Sequence, residues 1–315
     1  MGAVYIVSTE EAAGKTTISA GLGKYLLGNG KKVGFLRITS ASNDGDATFM
    51  KQILDLPEAA ESLGIGDGDT SKVREAYNRV APGKDVVIIE GRRDKSSGEI
   101  AKALKARVIS VVTYGGQAAA YADSYPEFGE NLLGIVINKV PVSQLKRVQD
   151  EASAQSAKAG ISLLGVIPED RTLSALTVAE VADCIGGEIL NNAENSGELV
   201  ENYMLGAMVV DSGLTYFGRK NNKAAIIRSE RPDMQLAALE TSTRCLVLSG
   251  KEPPIYGVRE KAESKGTPII LTENDINSIV ANIEHALAKT RFNQENKLPR
   301  LIGIIQQHLN LQAVA

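Results

Sequence analysis

No tryptophan occurs in the 315 residues, and aromatic side chains of all kinds make up only 4%. Stacking platforms for single-stranded nucleic acid are therefore not expected. Positive charge is not in excess either: 35 Lys and Arg stand against 38 Asp and Glu, a net charge of −3. No basic stripe interrupts that balance, so nothing recommends a nucleic-acid partner. Cysteine is nearly absent; Cys184 and Cys245 form no CxxC pair and read as buried free thiols of a reducing compartment. The two histidines, His285 and His308, are widely spaced, which argues against a zinc cluster or a Ser-His-Asp triad. The start of the chain has no basic n-region, and its apolar run is too short for a signal peptide or a membrane span. Myristoylation of Gly2 is not expected, because Ile6 stands where Ser or Thr is required. The expectation is a cytoplasmic protein with no membrane association.

What is present is ordinary globular material, 43% apolar and 23% charged, and enough of it for about two domains. Runs rich in Val and Ile fall at 3–7, 33–38, 85–90, 108–113, 132–138 and 163–167. Their apolar character is continuous rather than alternating, as in strands of a parallel sheet covered on both faces. Segments with one polar side lie between them at 16–27, 46–54, 71–80, 98–105 and 143–159 and read as helices. Such alternation predicts an α/β domain, a doubly wound parallel sheet over 1–185, with ligands outside the carboxyl ends of the strands. A short helix over 177–185 is closed by Gly186-Gly187, and the polar stretch 191–197 reads as a linker or surface loop. A smaller α/β domain follows over 186–297, with strands at 207–210, 224–228, 245–249 and 268–272 and helices at 212–217, 234–241, 258–264 and 275–289. The tail, 298–315, has helical spacing and reads as a docking or dimerisation helix.

The densest chemistry lies at the start. The run 3–7 stops at Ser8-Thr9, a polar loop follows, and Gly14-Lys15-Thr16-Thr17 leads into Ile18. That order reads as strand, loop and helix, with first-turn amides and the helix dipole directed at an anion. In such a phosphate-binding loop (P-loop), Lys15 reaches the β- and γ-phosphates of a nucleotide and the Thr16 hydroxyl ligates Mg²⁺. The usual pattern has a glycine where Thr9 stands. An ordinary strand-to-helix turn is the alternative, because Gly-Lys-Thr also recurs by chance.

Three further places at strand ends carry candidate residues. Glu90 closes Val86-Val87-Ile88-Ile89. There an acidic residue faces the phosphates and holds Mg²⁺, directly or through water; a solvated strand end is the alternative. Asp46 follows the second strand and is either a second metal ligand or a helix N-cap. Asn138-Lys139 ends the fifth of the longer runs, where it either borders the nucleotide base or makes a plain turn. Val140 and Pro141 follow, so the Asp that selects guanine is missing and ATP is expected over GTP. In the second domain Asp211 and the stretch containing Arg231 and Asp233 also follow strands. Arg231 with the next helix start makes an anion site for a small metabolite, or Asp233 simply caps the helix.

With these residues placed, the first domain resembles the dethiobiotin synthetase-like branch of P-loop proteins, which includes cobyrinic acid a,c-diamide synthases. The matching pieces are Gly14-Lys15-Thr16-Thr17, Glu90-Gly91, the run from Gly134 to Val140, and Leu164-Gly165-Val166-Ile167-Pro168-Glu169-Asp170. The second domain resembles the DRTGG domain through Leu205-Gly206-Ala207-Met208, the run from Arg231 to Thr241, and Leu246-Val247-Leu248-Ser249-Gly250. Together they cover nearly the whole chain, in the combination seen in the amino-terminal, non-catalytic half of long phosphotransacetylases and in stand-alone phosphotransacetylase-like proteins.

The resemblance implies ATP and Mg²⁺ as ligands, a dimer paired through the DRTGG-like domain, and a partner enzyme that receives the signal. Departures from the family pattern weigh against ligase chemistry. Glu11-Ala12-Ala13 stands where dethiobiotin synthetases carry Thr-Glu and then Val, and Glu10 and Glu11 add negative charge beside the loop. Those enzymes also engage their carboxylated substrate with a Lys after the second strand, where this chain has Arg37-Ile38-Thr39. A chain ending at Ala315 leaves no room for an acetyltransferase domain, so acetyl phosphate synthesis by this chain alone is not expected. The leading expectation is a nucleotide-responsive regulatory protein. The alternatives are an ATP-dependent carboxylate ligase and a scaffold with a degenerate P-loop.

Overall fold

The computed structural model describes residues 2–8, 10, 12–39, 45–66, 69–115, 125–206 and 213–314, with only the backbone at Arg92. The chain divides into two compact units, 1–170 with 292–315, and 171–291.

The first unit is built on a seven-stranded parallel sheet in the order β3-β2-β4-β1-β5-β6-β7. Its strands are β1 (Gly2–Ser8), β2 (Val33–Ile38), β3 (Gly64–Ile65), β4 (Val86–Arg92), β5 (Arg107–Thr113), β6 (Leu132–Val140) and β7 (Leu163–Pro168). Six of them coincide with the Val- and Ile-rich runs. The seventh, β3, pairs with the end of β2 and contains only two residues, too short to carry a hydrophobic pattern. Helices α1 (Lys15–Gly28), α2 (Gly45–Ile53), α3 (Ala60–Leu63), α4 (Thr70–Val80), α5 (Ser97–Leu104) and α6 (Leu145–Lys158) cover it. The strand order reverses beside β1: the chain runs out through β2 and β3, returns through β4, and crosses to β5 on the other side. A crevice at the carboxyl end of β1 is therefore the place where this fold holds ligands.

Helix α1 is buried on more than one side, which its glycines permit. An added Cβ on Gly23 would come within 2.7 Å of Leu54, and one on Gly21 would lie 2.5 Å from Cγ1 of Ile305. Ile305 belongs to the helix Leu298–His308, whose residues Leu298, Leu301, Ile304 and Ile305 are buried. The expected C-terminal tail thus docks on its own unit, against α1. Beyond it the chain bridges to β7, with the Asn310 amide donating to the Leu164 carbonyl at 2.7 Å.

The second unit holds a five-stranded sheet, β9-β10-β11-β12-β8, formed by β8 (Glu188–Ile189), β9 (Asn202–Leu205), β10 (Lys223–Arg228), β11 (Thr243–Ser249) and β12 (Ile269–Thr272). Strands β9 to β12 are parallel and β8 adds antiparallel to β12. The helix Val178–Cys184, expected at the end of the first domain, packs into this unit's core. Val178, Val181 and Ala182 lie with Ile226, Val247, Ile270, Ile279 and Ile283. Its start is a capping box between Thr177 and Glu180. The polar stretch 191–197 is likewise part of this unit rather than a free linker. Asn191, Asn192 and Asn195 donate their side-chain amides to the carbonyls of Thr267, Ala262 and Gly266. The strand expected at 207–210 lies outside the described residues; the edge strand observed is Asn202–Leu205. Cys184 and Cys245 are free thiols, pushed up by burial to about 11 and about 12. Among the described residues no helix is long and apolar enough to cross a membrane.

The close approach at Gly21 generates a paired prediction. Gly21→Val forces Ile305 away from α1 and is expected to destabilise the protein by about 1–3 kcal/mol. Gly303→Ala, exposed on the docked helix with open space around it, is expected to stabilise it by up to about 1 kcal/mol. Urea unfolding midpoints of the two variants check both signs.

Candidate phosphate-binding site

The loop after β1 is shaped by backbone conformations that suit an anion cradle. Gly14 is the residue before α1 and is left-handed at φ 91°, and Ala12 also has positive φ, 55°. A side chain at position 14 is excluded twice, by that φ and by Asn138, whose Nδ2 would lie 2.1 Å from an added Cβ. No acidic residue occupies the first turn of α1, so its amides and dipole are not neutralised from within the helix. Thr17 lies in that same turn, half-buried.

Lys15 reaches back across the loop and donates from Nζ to the Ser8 hydroxyl at 2.9 Å. Ser8 is buried at the end of β1 and in turn donates to the Glu10 carbonyl at 2.7 Å. The Glu10 carboxylate accepts a hydrogen bond from Thr113 at the end of β5. Thr9 and Glu11 lie outside the described residues.

Thr16, Asp46 and Glu90 converge, and what they converge on is Arg37. Arg37 Nη1 lies 3.1 Å from Thr16 Oγ1, 3.0 Å from Glu90 Oε2 and 2.7 Å from Asp46 Oδ2. The Thr16 hydroxyl also donates to Glu90 Oε2 at 3.1 Å. The fold builds this cluster directly, because Arg37 of β2 is the register neighbour of Glu90 of β4. Asp46 sits inside the first turn of α2, which begins at Gly45, so its carboxylate serves the cluster rather than an N-cap. Glu90 is 1% exposed, so it is no solvated strand end, and its Oε1 has no hydrogen-bond partner among the described residues. Desolvation raises its pKa above the ordinary 4.5, against the opposing pull of Arg37, Ser19 and Thr16. The residue after it, Gly91, lets the Tyr5 ring lie against β4: an added Cβ would come 2.4 Å from the Tyr5 hydroxyl.

Asn138, expected beside the nucleotide base, also has a partner within the protein. Its Nδ2 donates to the Ala13 carbonyl at 2.9 Å in a buried contact, so it braces the loop from below. Lys139 is exposed beside it with φ 59°. In the second unit Arg231 and Asp233 are brought together, with 2.7 Å between Nη2 and Oδ2, each holding the other's charge. Asp211 lies outside the described residues. Sequence reasoning met Arg37 only as a departure from a pattern and missed Ser8 as the partner of Lys15. Arg37 directly follows the apolar run Val33-Gly34-Phe35-Leu36, but its pairing with Glu90 follows from sheet order, which no local pattern displays.

Two family models match. Residues 4–180 match the CobQ/CobB/MinD/ParA nucleotide binding domain, and residues 180–286 match the DRTGG domain. Among curated relatives, the phosphate acetyltransferase of Nitratidesulfovibrio vulgaris is 22% identical over 98% of this chain and 50% of its own length. That of Pseudomonas aeruginosa is 23% identical over 99% of this chain and 51% of its own. The chain thus spans about half the length of these relatives. Among solved structures, the MinC:MinD cell division protein complex of Aquifex aeolicus is 17% identical, covering 55% of this chain and 84% of that one, with a TM-score of 0.42.

Two measurements probe the cradle. Asn138→Ala leaves the Ala13 carbonyl without its donor and is expected to cost about 1–3 kcal/mol, read from urea unfolding. Glu90 binds its proton more tightly folded than unfolded, so its contribution is present at low pH and is lost as pH rises through the folded value. Wild type should therefore lose stability relative to Glu90→Gln as pH rises from about 4.5. A stability gap independent of pH would contradict the raised pKa.

Proposed function

The chain belongs to the CobQ/CobB/MinD/ParA nucleotide binding domain family, and from that premise we propose that it is an ATP- and Mg²⁺-binding regulatory protein. The observation that carries this reading is the convergence at the carboxyl end of β1. Left-handed Gly14, the half-buried Lys15 and the Thr16–Glu90–Asp46 oxygens lie together at the reversal of strand order. In this reading the amides of Gly14, Lys15, Thr16 and Thr17 hold the phosphate chain, and Lys15 exchanges the Ser8 hydroxyl for a phosphate oxygen. Asn138 keeps the loop in place, and Lys139 stands at the mouth on the base side.

Thr16, Asp46 and Glu90 offer hard oxygen donors, two of them carboxylates. That set suits Mg²⁺, which binds through one or two carboxylates and completes its shell with water and phosphate oxygens. Among the described residues no group of three or more His, Cys, Asp or Glu could hold a metal ion by itself. Bound Mg²⁺ would neutralise phosphate charge.

The regulatory half of the proposal rests on the relatives. Phosphate acetyltransferases match this chain over about half their own length, and the proposal assigns acetyl transfer to their other half. This chain then supplies nucleotide sensing to a partner enzyme in the cytoplasm. The DRTGG-matching unit pairs two subunits or takes a small metabolite that competes for the Arg231–Asp233 pair.

Thermal unfolding with ATP, GTP or ADP, each with and without Mg²⁺, tests the reading. A nucleotide at one hundred times its Kd adds about 2.7 kcal/mol, a shift of a few degrees, and Lys15→Ala should abolish it. ATP with Mg²⁺ is expected to give the largest shift, with little steady phosphate release. No shift with any nucleotide overturns the proposal, and steady phosphate release that Lys15→Ala removes would replace regulation by ligase or ATPase chemistry.

A further inference from the structure

The three side chains suited to hold a divalent ion already hold a cation that belongs to the protein. One guanidinium nitrogen, Arg37 Nη1, lies within 2.7–3.1 Å of oxygens from Thr16, Asp46 and Glu90. The arrangement is built into the sheet rather than assembled by a flexible side chain at the surface. Arg37 and Glu90 are register neighbours, and the Arg37 side chain is only 20% exposed.

Mg²⁺ cannot simply join this cluster. It requires oxygens at about 2.0–2.1 Å, closer than the guanidinium now keeps them. It would also place a divalent charge against the guanidinium in a desolvated pocket. Two carboxylates and one guanidinium sum to −1; adding the metal with Arg37 still in place makes +1 where little water can screen it. The guanidinium must therefore leave for the metal to enter. Leaving means giving up the Asp46 and Glu90 carboxylates. A phosphate chain in the cradle changes that balance, because it offers the planar guanidinium a bidentate partner. Glu90 Oε1, buried and without a hydrogen-bond partner among the described residues, is then a further oxygen available to an incoming ion.

We propose that Arg37 is a resident cation that closes the metal position of the nucleotide-free protein, so that a divalent ion enters only together with a phosphate chain that draws the guanidinium away from Thr16, Asp46 and Glu90. This rests on the nucleotide reading of the same cradle. It makes Arg37 the residue that couples metal to nucleotide, and the order of binding a property of the Arg37 cluster.

The test uses the full chain without nucleotide and Mn²⁺ as the probe, with the free-Mn²⁺ paramagnetic resonance signal as readout. Arg37→Gln is expected to bind Mn²⁺ at least about tenfold more tightly than wild type, and adding Asp46→Asn should remove that gain. Arg37→Lys, which keeps the charge, should stay closed. Equal Mn²⁺ affinities for wild type and Arg37→Gln overturn the proposal. Circular dichroism reports whether Arg37→Gln folds, and if it does not, the wild type decides. Weak Mn²⁺ binding insensitive to Asp46→Asn supports the closed position, and tight binding that Asp46→Asn abolishes overturns it. The nucleotide arm is read separately: a wild type indifferent to ATP, with an Arg37→Gln variant that gains Mn²⁺, sinks the nucleotide reading while the closed metal position stands.

Discussion

A carboxylate sealed at the end of a central strand needs a positive charge, and the rest of the site follows from where that charge comes from. Glu90 ends the apolar run of β4 and is 1% exposed. Left without a cation, a buried carboxylate of this kind costs several kcal/mol. The parallel register places Arg37 of β2 beside it, and the same guanidinium gathers Asp46 from α2 and Thr16 from α1. Four elements of the first unit are thus tied at one nitrogen. The tie offsets part of the cost of burying Glu90, and in the proposed reading it sets the terms on which any other cation can enter.

The cradle above that cluster is held by packing that local sequence preferences do not dictate. Position 14 requires glycine both for its left-handed φ and because Asn138 occupies the space a Cβ would need, and Asn138 secures the Ala13 carbonyl. Behind the loop, α1 is narrowed by Gly21 and Gly23 so that Ile305 and Leu54 can approach. The helix whose first turn offers the candidate phosphate-binding amides is therefore clamped between β-sheet and C-terminal helix. A rigid helix start is what an anion site requires, since its donors must be placed before the ligand arrives.

Most of the first unit was legible in the sequence, because continuous Val and Ile runs separated by one-sided helices admit few other folds. Gly14-Lys15-Thr16 and Glu90 were legible as chemistry for the same reason: a polar residue at the end of an apolar run needs an explanation. What could not be read is what depends on strand order. The Arg37–Glu90 pairing joins β2 to β4, and the Asn138–Ala13 contact joins β6 to the loop after β1. The affiliation of the helix Val178–Cys184 was hidden in the same way. Its amphipathic pattern fits either neighbouring sheet, and only its contacts with Ile226, Val247 and Ile270 place it in the second unit. The asparagines of 191–197 look like loop residues, and they are, but their amides are committed to the carbonyls of one helix-to-strand corner.

In the proposed reading, a member of a family of nucleotide-binding domains has its metal position held by an arginine. Such a protein would register nucleotide and metal as one event rather than two. Hydrogen–deuterium exchange of the amides from Ala12 to Ile18, with and without Mg²⁺-ATP, tests the central claim most directly. The account predicts marked slowing across that loop on adding nucleotide, lost in Lys15→Ala. Unchanged exchange there, with nucleotide demonstrably bound elsewhere on the chain, would contradict it.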